Sequence, residues 1–525
     1  MDTEESVSKR ESISVLSIIG IWIAIATYVS LSRSYLGFGT ETDYLGGFLP
    51  EAQRLLSGEP LSIEFHPPLY ASVLAFIQFF LDDWFLSGRV LTLISYTISL
   101  ISSFYFFRLL INKASGWGAL FALMCSTSFF YYALLTTSDV FFYCLYSCTL
   151  LLAILAYKKA LPWLWIACGL FVGLVLLTRS NGFTLLALVL LPWLSNNSNK
   201  KNILDSIFLC IGIALPIAIW ATIASYSGSP FMPRGTYANL ALTYFSPTNS
   251  KISGDARIIL ESQFQNLWQV VTYDPIHIVK SYIRDLFKLA QNILLSEKLI
   301  GFPLFLFALP GLFLMAIKKD RLILFYLFII TLSQLLLVNF KGYENRLYLF
   351  LVPIYGVAIA ICCEKILALL KAKLNNQFID INKPIIVSAI IAFIPLGISV
   401  KDALRKTHAH DISLHDSVTK TAGIIPKNSQ IVSRKPHLAF YSSGEFTLFP
   451  AVQTYPELAS ELSKSAINKP IYVYYGFHEL KTRPQFKELI TSNVEQAPWL
   501  TPVVSSTNID EWVLYRFNQI TDNPK

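Results

Sequence analysis

The chain has 525 residues, 54% of them hydrophobic and 14% charged, with a mean hydropathy of +0.51. Soluble domains average about 25% charged residues, so a soluble fold of this length could not hide so much apolar surface, and the bilayer must act as part of the solvent. The net charge of +8 reads as topological, with Lys and Arg holding loops in the cytoplasm; no basic stripe with interleaved aromatics lies outside the apolar region, which argues against a nucleic-acid partner.

Runs of roughly 17–25 apolar residues qualify as spanning helices. The first covers 12–32. It is too long for a signal-peptide core and lacks a clear cleavage site, so it reads as a retained span. An outer segment follows over 33–89, with a polar half and an apolar half. The apolar stretch 67–81 is short for a span and ends in Asp82-Asp83, as an interfacial helix would. Further spans are expected at 90–110, 117–136, 139–157, 161–178, 182–195 and 204–225. The segment 226–298 scatters Tyr273, His277, Lys280, Tyr282, Arg284 and Lys288 and also looks interfacial. Spans at 299–317, 321–339, 347–369 and 384–400 complete eleven.

From about Lys401 the sequence changes character. Short strand-like runs appear at Gln430–Ser433, His437–Tyr441, 470–475, 501–505 and 511–517. Helical or loop stretches at 455–464 and 485–491 separate them. The fold class is thus an α-helical polytopic membrane protein, with a transmembrane domain over 1–400 and a small α/β domain over 401–525.

Placing the N-terminus in the cytoplasm puts Lys9 and Arg10, Arg108 and Lys113, Lys158 and Lys159, Lys200 and Lys201, Lys318, Lys319 and Arg321, and Lys365 to Lys383 all inside. The three long segments 33–89, 226–298 and 401–525 then lie outside. The seven cysteines fall in or at the ends of apolar segments, where Cys is usually a small apolar filler. Neither a disulfide framework nor metal-ligand spacing appears. The tail's His408, His410, Asp411, His415 and Asp416 are too loosely spaced to read as a zinc site.

With that topology, polar residues gather at the outer helix ends. The first loop offers Glu41, Asp43, Arg54, His66, Tyr70 and Arg89. Ser138-Asp139, Thr178-Arg179-Ser180-Asn181 and the run Lys341 to Arg346 follow. The inner turns offer mainly Lys. The apolar run after Arg179, Gly182 to Leu194, is short for a bilayer of about 30 Å. A recessed, irregular turn at Arg179 would explain this, since such backbone is tolerated where it lines a cavity, and a recessed Arg is costly unless it meets an anion. A carboxylate to take an acceptor proton, together with arginines to hold a departing phosphate, is what transfer from a lipid-phosphate sugar demands.

In these features the chain resembles the GT-C membrane glycosyltransferases, nearest the bacterial members of the dolichyl-phosphate-mannose-protein mannosyltransferase group, which include the lipid A aminoarabinose transferases. The resemblance rests on Thr40-Glu41-Thr42-Asp43-Tyr44, His66-Pro67-Pro68-Leu69-Tyr70, Ser87-Gly88-Arg89, Thr178-Arg179-Ser180-Asn181-Gly182 and Glu344-Asn345-Arg346-Leu347-Tyr348 leading into Val352-Pro353. The tail run Ser433 to Tyr441 also looks like the outer domain of such proteins. It implies an inverting transfer of a sugar from a polyprenyl phosphate to a hydroxyl on an extracytoplasmic acceptor, which could be lipid, glycan or protein. Asp43 is then the general base, with Glu41 as its rival. His66, Tyr70, Arg89, Asp139, Arg179, Tyr343 and Arg346 are the donor-phosphate and substrate candidates. His66 stands where some relatives have Lys. No cofactor is implied and no metal is inferred. The expected partners are the polyprenyl-phosphate sugar, membrane lipids and the acceptor; the expected place is a bacterial inner membrane. The rival readings are a lipid-linked-sugar transporter or flippase and a non-catalytic assembly protein. The transporter is disfavoured because neither midplane ionisable residues nor repeat symmetry is evident.

Overall fold

The computed structural model describes residues 8–31, 43–61, 66–195, 198–231, 233, 236–245, 260, 263–294, 299–300, 304–317, 320–338, 345–374, 412–450, 452–465, 469–492, 494–506 and 511–518. Glu41, Tyr343 and the expected span at 384–400 lie outside them. Two compact units emerge. One is drawn from Met1–Ser34, Glu51–Arg234 and Val279–Arg405, the other from Tyr35–Pro50, Gly235–Ile278 and Lys406–Lys525.

The first unit is helical. Its main helices are α1 (Lys9–Leu31), α2 (Leu69–Leu81), α3 (Trp84–Leu110), α4 (Lys113–Cys125), α5 (Ser138–Lys159), α6 (Pro162–Leu176), α7 (Asn199–Ser227), α8 (Leu304–Ile317), α9 (Arg321–Val338) and α10 (Val352–Leu374). Among the described residues, six helices are long and apolar enough to cross a membrane, and four shorter apolar ones accompany them.

Small residues let these helices approach closely, as packing in lipid favours. A Cβ on Gly169 would lie 2.0 Å from the Leu209 carbonyl oxygen, and one on Gly212 would lie 2.2 Å from that of Ile166. This seats α6 against α7. Gly118 and Gly356 do the same for α4 and α10, at 2.4 and 2.2 Å. Between α3 and α5 the contact is polar: the hydroxyls of Ser102 and Ser147 lie 2.7 Å apart, as do those of Ser103 and Tyr143.

Two expected spans take other forms. The run 117–136 is broken rather than continuous. Ser126 donates to the Leu299 carbonyl (2.7 Å) and accepts from the Phe129 amide (3.2 Å), ending α4 and capping a second helix, Thr127–Ala133. The short run after Arg179 is a 3₁₀ helix, Ser180–Leu194, of 15 residues. At about 2.0 Å rise per residue it extends roughly 30 Å, the thickness of the hydrocarbon core, although so long a 3₁₀ run is uncommon. The apolar stretch 67–81 forms α2 over Leu69–Leu81. It buries Tyr70, Ala71, Leu74 and Ala75 and leaves Phe76, Phe79 and Phe80 mostly exposed.

The second unit contains a five-stranded mixed sheet in the order β2-β1-β3-β5-β4. Its strands are β1 (Gln430–Ser433), β2 (Glu445–Leu448), β3 (Ile471–Tyr475), β4 (Leu500–Ser506) and β5 (Trp512–Phe517). β1 lies parallel to β2 and β3, while β5 is antiparallel to β3 and β4. Every residue of β3 is buried, because both sheet faces carry a core. Val473 and Tyr475 enter one cluster with Leu458, Phe486 and Leu489; Tyr472 and Tyr474 enter the other with Leu438 and Trp512.

The segment His437–Tyr441, expected as a strand, is a short helix. Pro436 sits at its entry with φ −74°, and its carbonyl accepts from Phe440 N at 3.0 Å. Proline pre-sets that geometry. The edge strand β2 was not expected; its residues are only partly buried or exposed, so it carries no alternation to read.

Candidate functional site

The polar residues expected at the outer helix ends meet in the first unit. Asp139 lies in the first turn of α5, where Thr137 caps the helix by accepting from the Asp139 amide (3.1 Å). The Thr137 hydroxyl donates in turn to Asp139 Oδ2 at 2.8 Å. This carboxylate is 4% exposed. Its Oδ1 accepts from Arg179 Nη1, and its Oδ2 stands 4.0 Å from Arg346 Nη1. Arg179 Nη1 also reaches Ser138 Oγ at 3.4 Å.

Local sequence explains each placement. Arg179 follows the end of α6 with extended backbone (φ −154°, ψ 143°) at the N-cap of the 3₁₀ helix. It therefore projects from a turn rather than from a helix face. Arg346 lies in the turn Asn345–Leu351 ahead of α10, and Asn345 Nδ2 donates to Ser128 Oγ at 3.5 Å. Both guanidinium side chains remain about one-fifth exposed, at 20% and 23%. A buried acid thus anchors two arginines that keep an accessible edge.

The His66-Pro-Pro-Leu-Tyr segment joins the same place. The Leu69 amide donates to the Leu177 carbonyl at 3.0 Å, beside the Arg179 turn. The buried Tyr70 ring meets Phe141 of α5 edge-on at 5.7 Å. Proline at 67 and 68 sets the entry to α2, and His66 just before it is half-buried. Arg89 is placed differently. It is 1% exposed within α3, with Nη1 3.4 Å from Ser30 Oγ of α1.

Asp43 belongs to the second unit. It precedes a single π turn, Tyr44–Phe48, with helical backbone (φ −62°, ψ −29°), and it is partly exposed. Among the described residues no group of three His, Cys, Asp or Glu is placed to hold a metal ion.

Ser138 was read from the sequence beside Asp139, but Thr137, which fixes Asp139, was not singled out. The signal was local: a hydroxyl two residues before an acid at a helix start is a capping pattern. Neither was Glu479 in the tail. It is fully buried in the first turn of a helix, Phe477–Thr482, and accepts from Gly476 N (3.1 Å) and Arg434 N (2.6 Å). Burial pushes its carboxyl up to about 7, against those hydrogen bonds and the Arg434 charge.

Residues 65–226 match the family described as dolichyl-phosphate-mannose-protein mannosyltransferase. That interval contains His66, Tyr70, Arg89, Asp139 and Arg179. No curated protein sequence matches the chain. Among solved structures, the chain resembles the archaeal oligosaccharyltransferase AglB from Archaeoglobus fulgidus in complex with an inhibitory peptide and a dolichol-phosphate, with a TM-score of 0.59, 12% identity, and coverage of 98% of this chain and 75% of that one. It also resembles ArnT from Cupriavidus metallidurans bound to undecaprenyl phosphate, with a TM-score of 0.55, 12% identity, and coverage of 97% and 99%. The fold is that of the GT-C glycosyltransferase group, as the motifs read from the sequence implied.

Proposed function

We propose that the chain is an inverting glycosyltransferase that moves a sugar from a polyprenyl phosphate to a hydroxyl of an extracytoplasmic acceptor. The observation that carries the reading is the Asp139–Arg179–Arg346 cluster, in which a 4%-exposed carboxylate holds two arginines with accessible edges. Each guanidinium offers five donors in a planar fork, a geometry suited to phosphate.

In this reading Asp43 takes the proton of the acceptor hydroxyl as its oxygen attacks the anomeric carbon. The bond from that carbon to the phosphate oxygen breaks on the opposite face, and its electron pair stays on the phosphate. Arg179 and Arg346 stabilise the charge that develops there. Asp139 orients both arginines. His66 and Tyr70 line the same region, while Arg89, buried in α3 against Ser30 of α1, stays a candidate on sequence grounds. Glu41 and Tyr343 stay as candidates on sequence grounds alone. The N-terminus and the short lysine-bearing turns face the cytoplasm of a bacterial inner membrane, and the site faces outward.

The test uses the protein purified in detergent, a panel of polyprenyl-phosphate sugars and an envelope extract as the acceptor source. Released polyprenyl phosphate is measured. The wild type releases it, and Asp43→Asn loses about 10²–10⁴-fold, the usual worth of a general base. Retained release in Asp43→Asn moves the base to Glu41. A wild type that turns over no donor sinks the transferase reading in favour of a transporter.

A further inference from the structure

Resting on the assignment of Asp43 as base, a second question is what holds that residue in place. The segment 35–50 groups with the tail, not with the helical unit. One close approach is specific. A Cβ on the exposed Gly46 of the π turn would stand 3.7 Å from Pro436 Cγ, an ordinary van der Waals contact. Pro436 belongs to the turn between β1 and the His437–Tyr441 helix.

That turn is unusually well fixed. Ser433 Oγ donates to the Lys435 carbonyl at 2.8 Å. His437 is 2% exposed. The Arg434 amide donates to Glu479 Oε1 at 2.6 Å, while Glu479 Oε2 accepts from Gly476 N at 3.1 Å. One buried carboxylate therefore pins the turn to the start of the Phe477–Thr482 helix. A buried acid is an expensive way to pin a turn unless its position matters.

We propose that Glu479 is a positioning residue: through the Arg434–His437 turn it holds the π turn that presents Asp43, so the tail domain is a working part of the catalytic apparatus. The domain then contributes to turnover.

The test has two arms on the full-length protein. Native cysteines lie between Cys125 and Cys363, so neither segment contains one. The pair Gly46→Cys and Pro436→Cys is introduced, and disulfide formation under mild oxidation is followed by gel shift. The pair forms readily with Glu479 present and about tenfold more slowly with Glu479→Ala, as expected when a small displacement separates the partners. Glu479→Gln, which keeps one acceptor oxygen, gives an intermediate rate and guards against simple misfolding, checked by thermal melting.

The second arm measures donor kinetics without the cysteines. Glu479→Ala lowers kcat about tenfold with the donor KM unchanged, because the base and not the phosphate site is displaced. No disulfide in the Glu479 protein, an unchanged rate in Glu479→Ala, or an unchanged kcat overturns the proposal. A wild type inactive on every donor would sink the transferase reading, and the disulfide arm would still decide whether Glu479 holds the turn.

Discussion

At the scale of single residues, the cluster makes Arg179 more demanding than its charge. Its Nη1 already serves Asp139 and Ser138, so holding a phosphate as well needs the remaining donors of the same fork. Arg179→Lys keeps the charge but reduces the fork to one ammonium. The donor KM is expected to rise about tenfold, equivalent to roughly 1.4 kcal/mol, with little change in melting temperature. An unaltered KM in steady-state kinetics would remove Arg179 from the donor site.

Glu479 gives a residue-scale prediction in pH. Its carboxyl is raised from 4.5 to about 7, chiefly by burial. The folded domain therefore favours the protonated acid, and this group's contribution to stability falls as pH rises from 4.5 towards about 7. Arg434 and Tyr475 are the charged or titratable groups that act on it, and His437 closes the turn it pins. Burial and the neighbouring Lys435 and His478 hold His437 down to about 3, so it stays neutral through that window. Glu479→Gln removes the titration and leaves the others. Its melting temperature should gain on the wild type as pH is raised from about 5 to about 8. A constant difference would show that Glu479 does not titrate there.

Much of the cluster was legible as residue types. Asp139, Arg179 and Arg346 stood out as costly polar groups at apolar helix ends. Their meeting on one carboxylate was not, because it depends on three chain segments up to 207 positions apart, a separation that follows from 139 and 346 in the sequence. Glu479 was invisible for the opposite reason. An acid in the first turn of a helix looks like routine capping, and only the tertiary fold buries it.

At the scale of elements, hydropathy marked where apolar segments lie but not how the backbone runs through them. The 3₁₀ helix Ser180–Leu194 and the break at Ser126 keep the same apolar composition as α-helices, so periodicity could not separate them. The tail strands were clearer, since β1, β3 and β5 fill a core, while β4 is exposed over most of its length. The helix at His437 failed because a buried aromatic-aliphatic run serves a strand or a helix equally well. The glycine contacts are an element-scale constraint that sequence hid. Gly212→Ala puts a methyl 2.2 Å from the Ile166 carbonyl oxygen and 2.9 Å from Gly169 Cα. Rigid backbone lies on that side, so α6 and α7 must separate. The expected loss is on the order of 1–3 kcal/mol, as in overpacked cores, read as a lower aggregation temperature in detergent. By contrast Gly20→Ala, with nothing within 4 Å of its Cβ, should be silent.

At the scale of the whole molecule, the remaining question is which way the helical unit faces. Each long helix of the cluster carries its lysines at the far end. α5 begins at Ser138-Asp139 and ends at Lys158 and Lys159; α10, which follows Arg346, reaches Lys365 about four turns later. At that second end, Arg108 pairs with Glu11 (3.5 Å), and Asn112 Nδ2 meets the Glu364 carboxylate at 3.1 and 3.3 Å. The lysines and the cluster therefore occupy opposite ends of the same helices. If basic ends stay in the cytoplasm, the cluster faces outward, and a donor must be presented on that side. Labelling of introduced cysteines separates the two orientations. With the exposed Cys210 changed to Ser, Lys159→Cys should resist an impermeant maleimide in spheroplasts and react only after permeabilisation. Lys464→Cys in the tail, at a side chain 68% exposed, should react at once. The reverse pattern would turn the site towards the cytoplasm. It would also break the link between positive charge and topology on which the extracytoplasmic acceptor depends.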